Sequence, residues 1–170
     1  MKVILMSIRP EWVAKILNGE KTIEIRKKFP KDYVGWVYIY CTKDKKYANL
    51  INRGGFLTGM VVARFWCDKV EEIIFGTTLY NDLGFFTCYL HDFELYKQSC
   101  LTKREMQNYL KVKPNGLSGY AIHITKLEIF DRPKEISEFS IKVFPHRKNN
   151  LMTRYLTRAP QSWCYVEVQL

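Results

Sequence analysis

Apolar positions run without interruption from Val3 to Met6 and resume at Ile8, which predicts a short buried strand. Pro10 then suits the first position of a helix, and Glu11 suits the positive end of its dipole. Trp12, Val13, Ile16 and Leu17 fall on one helical face, and Asn18-Gly19 is a stop signal. The pattern therefore predicts a two-turn amphipathic helix over Pro10 to Asn18. Directly after it, Thr22 to Arg26 alternates polar and apolar residues with a period of two, as a half-buried strand does. Ile23 and Ile25 are expected to face the core, with Glu24 and Arg26 on the opposite face. Gly35 to Thr42 is the clearest strand in the chain, and Leu57 to Trp66 reads as another, with Gly59 marking a bulge.

The centre, from about Glu71 to Lys97, is crowded with aromatic residues and gives no clear period; Gly76 and Gly84 bracket what reads as a plain loop. Thr102 and Glu105 form a capping-box pattern that opens a helix, with Met106, Tyr109 and Leu110 on one face. Asn115-Gly116 marks a turn. Gly119 to Phe130 predicts one long alternating strand ended by Asp131-Arg132-Pro133, and residues 134–160 read as a short helix or loop and a basic irregular stretch. Trp163 to Val168 is the last strand. Strands of uneven length with two or three short helices predict an α+β domain on a small mixed or closed barrel.

Composition sharpens this. The chain has 170 residues, 47% apolar and 15% aromatic, enough for a core and too many for a disordered tail. Mean hydropathy is −0.23 and no apolar run approaches membrane-spanning length, so no membrane partner is expected. The N-terminus reads as a strand, not a secretion signal. Five cysteines, an odd number with no C-x2-C pair, suit a reducing, cytoplasmic setting. Cys41, Cys67 and Cys164 lie beside aromatic or β-branched residues, where buried, inert thiols are common. The three histidines are scattered, so neither metal nor cofactor is expected.

Charge changes the picture more. The formal net charge is +10, and it is unevenly spread. Residues 1–53 carry 12 basic and 5 acidic side chains, residues 54–96 carry 2 and 6, and residues 97–170 carry 13 and 6. Both ends are basic and the centre is acidic. If the first and last strands pair, the basic segments meet on one surface, which favours a polyanionic partner; ordinary solubility is the plainer reading.

The strongest chemical signal is Gly19-Glu20-Lys21-Thr22-Ile23-Glu24-Ile25-Arg26, which puts three ionisable groups at one helix-to-strand junction. Arg26 suits bidentate recognition of phosphate or a base edge. Such a trio is also compatible with a surface ion-pair ladder of little energetic worth. A second candidate is Arg158-Ala159-Pro160-Gln161-Ser162-Trp163, where Gln161 and Ser162 can hydrogen-bond a base or sugar. There Trp163 either stacks on a base or packs in the core. Ser7 and Arg9, ahead of the first helix, are candidates for the same cleft. Trp36, Tyr38 and Tyr40 form an aromatic stripe that is a stacking platform or, as apolar Val37 and Ile39 on the other face suggest, core. Lys43 to Lys46 and His146 to Lys148 read as solvated loops.

The segment from Ser7 to Pro30 resembles the opening of the ASCH family, relatives of PUA-like domains, whose signature is G-x-K-x-x-E-x-R after a short helix. Gly19, Lys21, Glu24 and Arg26 fill the four positions in register. Gly35 to Thr42, Ala121 to Pro133 and Arg158 to Val166 resemble further pieces of its longer members, the last being a PPQS-like C-terminal segment. The resemblance implies a single domain over 1–170, with an unmatched aromatic-rich insertion at about 67–100. Its fold would be a PUA-like mixed β-barrel of about six strands with two to four flanking short helices. It also implies a cleft at the signature that binds RNA or a modified nucleotide, with Lys21, Glu24, Arg26, Ser7, Arg9, Arg158, Gln161 and Ser162 as binding residues. The alternatives are a ribonuclease or nucleoside amidohydrolase acting in that cleft through Lys21, Glu24 and Arg26, or a protein-interaction module. In the branch that hydrolyses acylated cytidine, a Thr nucleophile stands where this chain has Glu24, so that nucleophile is not carried over.

Overall fold

The protein is described here from a computed structural model, which describes residues 2–44, 58–80, 85–89, 93–111, 117–143 and 152–168. The Asn115-Gly116 turn, the His146 to Lys148 run, Lys45, Lys46 and Leu57 lie outside them. The chain divides into two compact units, one of Met1–Leu17, Gly35–Trp66 and Lys126–Leu170, the other of Asn18–Val34 and Cys67–Thr125.

The first unit is built on a seven-stranded sheet. Its strands are β1 (Lys2–Ile8), β3 (Gly35–Cys41), β4 (Val61–Cys67), β9 (Thr125–Lys134), β10 (Ser140–Val143), β11 (Met152–Tyr155) and β12 (Trp163–Glu167), in the order β11-β10-β12-β1-β3-β4-β9. β1 pairs antiparallel with β12, Lys2 opposite Glu167 and Met6 opposite Trp163, so the first and last strands do meet. On its other side β1 runs parallel to β3, Ile4 opposite Val37 and Ile8 opposite Cys41. A parallel pair needs a crossover, and helix α1 (Pro10–Leu17) lies on it with Val13 and Ile16 buried.

Burial on both faces of β1 and β3 follows from their central position. Tyr38 and Tyr40 belong to a core with Val3, Leu5, Val61, Phe139 and Val166, while Val37 and Ile39 are buried on the other face. The aromatic stripe of β3 is therefore core. Gly59 is not a strand bulge: it turns the chain at φ 85° just before β4, its N–H donating to the Cys41 carbonyl at 2.7 Å.

The second unit holds a three-stranded antiparallel sheet in the order β2 (Ile23–Arg26), β8 (Leu117–His123), β5 (Val70–Ile74) and a hairpin of β6 (Gly76–Tyr80) and β7 (Phe85–Tyr89). β6 takes up part of the segment expected to be a loop. Helix α2 is Phe93–Ser99 and α3 is Lys103–Leu110. The predicted capping box opens α3: Thr102 accepts from the Glu105 N–H, and the Glu105 carboxylate accepts from the Thr102 N–H at 2.8 Å. Met106 and Leu110 are buried, but Tyr109 is exposed, with the Lys27 ammonium 5.2 Å from its ring centre. Ile23, Ile25, Ile73, Phe75, Leu95, Met106, Leu110 and Ala121 form this unit's core.

Three expectations are corrected. The long strand from Gly119 to Phe130 is two strands, β8 and β9, which break at Ile124 and join different sheets. Pro133 does not end β9; the strand lies at a sheet edge, where the N–H that proline lacks need not cost a ladder bond. Twelve strands are present among the described residues, not about six, and they form sheets that are not closed into a barrel. The architecture is α+β and dominated by sheet, with three α-helices among the described residues.

Candidate functional site

In the second unit Gly19, at φ 75°, turns the chain out of the helix and into the segment that carries Lys21. The period-two alternation of β2 then separates its residues. Ile23 and Ile25 enter the core, while Glu24 and Arg26 lie on the other face, opposite Ile122 and Tyr120 of β8. Lys21 reaches them from outside the strand. Its Nζ is 3.3 Å from Glu24 Oε2, and Arg26 Nε is 3.0 Å from Glu24 Oε1. Both carboxylate oxygens thus face a cation.

These are not surface pairs. The residues Lys21, Glu24 and Arg26 are 2%, 7% and 8% exposed. Taking charges out of water costs several kcal/mol per ion in real proteins, so such a cluster needs further polar partners. Lys21 has one in the carbonyl of Ser99, to which it donates at 2.7 Å. Ser99 ends α2, where carbonyl groups lack intrahelical donors and the helix dipole is negative. The adjacent backbone is fixed as well: the Thr22 N–H donates to the Gln98 carbonyl and the Ile124 N–H to the Thr22 carbonyl, each at 2.9 Å. Ser99 is the participant that sequence reasoning missed, and no signal marks it, because it acts through its main chain.

The other candidates lie in the first unit. Ser7 is buried and tied to the C-terminal segment; its Oγ donates to the Pro160 carbonyl at 2.6 Å and its N–H to the Ser162 carbonyl at 2.9 Å. Arg9 is solvent-facing, 4.0 Å from Glu11. Arg158 and Gln161 are exposed, and Ser162 and Trp163 are half-buried. The Trp163 ring meets the Tyr165 ring edge-on, with centres 5.6 Å apart. The signature residues thus gather into one cluster, Ser7 joins the 160–162 segment, and Arg9 stands on the surface. No group of three or more His, Cys, Asp or Glu side chains among the described residues is arranged to hold a metal ion.

No family model and no curated protein matches the sequence. Solved structures do. Two single-residue mutants of ZmASCH from Zymomonas mobilis match with TM-scores of 0.58, at 15% and 14% identity, covering 98% and 97% of this chain and 91% and 88% of theirs. ASCH from Zymomonas mobilis matches with a TM-score of 0.51 at 17% identity, over 97% of this chain and 87% of that one. The class is therefore sheet-dominated α+β. More particularly, the chain has the ASCH-domain fold. No helix among the described residues is long and apolar enough to cross a membrane.

Proposed function

We propose that the protein binds RNA or a modified nucleotide, with Lys21, Glu24 and Arg26 at the centre of the site. The observation that carries this reading is the burial of the three charged groups in one ion-paired cluster. Replacing a buried ion pair with well-packed apolar residues is often neutral or stabilising, so the arrangement has a weak structural justification. Charged groups held in this way are instead a common property of functional sites. Glu24 holds both cations in fixed positions, and Arg26 supplies the planar donor set that phosphates and base edges accept. In the first unit, Arg9, Arg158, Gln161 and Ser162 are proposed as contacts for the same class of ligand, and Ser7 as the residue that holds the 160–162 segment.

The net charge of +10 supports a polyanionic ligand. Coverage of nearly the whole chain by ASCH structures supports reading residues 1–170 as one such domain. The free thiols of Cys41, Cys67, Cys100 and Cys164 fit a reducing, cytoplasmic setting. Among the alternatives, binding is favoured over ribonuclease or amidohydrolase chemistry because both oxygens of Glu24 are engaged by cations, which suits charge placement better than proton transfer.

The test is binding of a single-stranded oligoribonucleotide across a salt series. Affinity is expected to fall steeply with salt, and to fall further in Arg26→Ala. Affinity indifferent to salt and to the substitution rejects the reading. Cleavage of labelled RNA or deacylation of N4-acetylcytidine by the wild type, abolished in Glu24→Gln, would instead establish the enzyme.

A further inference from the structure

Between Glu138 and Glu167 the sequence has five Lys or Arg residues and no acidic one. Two of the five, Arg154 and Arg158, line a groove of about 540 Å³ that lies within the first unit. The groove has a definite construction. Ile141 of β10 stands opposite Arg154 of β11 in the ladder, so the two share a face. Leu156 follows β11 and is pinned by its N–H to the Phe139 carbonyl at 2.8 Å. Pro160 is held by the Ser7 hydroxyl at 2.6 Å. Ile141 and Leu156 also pack against the unit's core, so the floor is apolar and braced from below. Around it stand Arg154 and Arg158, both exposed.

Neither arginine has an ion-pair partner among the described residues. The neighbouring cation, Lys142, is by contrast paired with Glu167 at 3.4 Å. Two exposed guanidinium groups with no ion-paired carboxylate among the described residues, over an apolar floor, match a ligand that is anionic at one end and apolar at the other. A volume of about 540 Å³ falls within the range of small-molecule sites, about 300 to 1,000 Å³. Arginine suits the phosphate end because its planar fork meets two phosphate oxygens at once.

We propose that this groove of the first unit is a nucleotide subsite, which takes one nucleoside 5′-phosphate unit. Arg154 and Arg158 hold the phosphate, and the base or sugar lies on the apolar floor of Ile141 and Leu156. The unit comes either from an RNA chain or from a free nucleotide. The inference rests on the nucleotide-binding reading above and shares Arg158 with it; Arg154 and the apolar floor are its own, and the AMP titration lets it fail independently.

The experiment titrates the full chain with adenosine 5′-monophosphate (AMP), adenosine, inorganic phosphate and a single-stranded oligoribonucleotide. The proteins compared are the wild type, an Arg154→Gln/Arg158→Gln double variant and Arg26→Ala. AMP should bind the wild type more tightly than adenosine or phosphate does, and at least about tenfold more tightly than it binds the double variant, because hydrogen bonds between charged groups are the strong ones. A parallel loss of oligonucleotide affinity in the double variant identifies the phosphate as part of RNA. Loss of AMP binding alone identifies a free nucleotide. AMP binding that is absent from the wild type, equal in the double variant, or matched by inorganic phosphate overturns the proposal. Photocrosslinking of the oligonucleotide gives a readout without substitutions: adducts within residues 154–160 support this groove, and adducts confined to residues 21–26 count against it. If AMP binding depends on the two arginines while oligonucleotide affinity ignores Arg26 and salt, the central reading fails and the groove stands.

Discussion

Lys21 Nζ donates to the main-chain carbonyl of Ser99 at 2.7 Å, while the same ammonium lies 3.3 Å from Glu24. One side chain thus ties the C-terminal end of α2 to the charged face of β2.

Lys21→Met removes the ammonium and keeps much of the stem's volume. It leaves Glu24 buried with one of its two cations gone, and unfolding in urea should report a loss of about 3 to 5 kcal/mol. Adding Glu24→Gln removes the stranded charge. The double variant should then be more stable than the sum of the single effects, by roughly 0.5 to 3 kcal/mol of coupling. Strict additivity would mean that the two groups do not interact.

Gly119 of β8 is a close-approach position. A Cβ there would lie 2.7 Å from the Arg26 carbonyl oxygen and 2.6 Å from a Leu110 methyl group. The methyl can shift, but the carbonyl belongs to the strand that carries the site. Gly119→Ala should therefore cost about 1 to 3 kcal/mol and lower oligonucleotide affinity by displacing Arg26. Gly19→Ala is the contrast: nothing lies within 4 Å of its would-be Cβ, and only the φ of 75° penalises it, by about 1 to 2 kcal/mol. Thermal melts of the two variants, compared with their binding curves, distinguish displacement of the site from backbone strain.

Glu71 is held below its ordinary value of 4.5 by hydrogen bonds from Lys69 and His123. A carboxyl whose folded-state value is depressed contributes stability that is full above the unfolded value and is lost as pH falls through the folded one. Wild-type stability should therefore decline as pH drops below about 4.5. Glu71→Gln should flatten that acid limb and leave the neutral region with a small loss, because the carboxylate is 42% exposed and screened by water. An unchanged acid limb in urea titrations between pH 3 and 7 would assign the decline to other carboxylates.

Burial pushes the Cys41 thiol up to about 12 and the Cys67 thiol up to about 11. The thiolate is the nucleophile, so at pH 8 both should resist iodoacetamide in the native protein. Cys100, half-buried at the end of α2, should label ahead of them. Mass spectrometry of timed samples gives the order, and early modification of Cys41 would contradict its burial.

What the sequence discloses follows local physics. The Pro10 helix, the alternation in β2 and the Thr102 capping box depend on neighbours within four residues, and each lies where its pattern placed it. The four-residue signature was legible as a set, but not its depth: the same spacing suits a solvated ladder, and only tertiary packing buries Lys21. The break at Ile124 has no local marker, because alternation persists across it while the chain passes between sheets. The sequence of β11 carries no strand period because β11 is an exposed edge strand, with no inward face to impose one. Ser99 was invisible for a further reason, since a carbonyl oxygen belongs to every residue.

The seating of β1 between β12 and β3 also governs how the protein is made. Residue 2 is held by residue 167, so a nascent chain cannot complete this sheet until the last strand has left the ribosome. Until then β1 keeps a bare, apolar margin, open to any other strand that reaches it. Contacts so distant in sequence slow folding, because the loop entropy falls due before the contact rewards it. The three-stranded sheet of the second unit spans Ile23 to His123, so all of its strands have been made before the larger sheet can close.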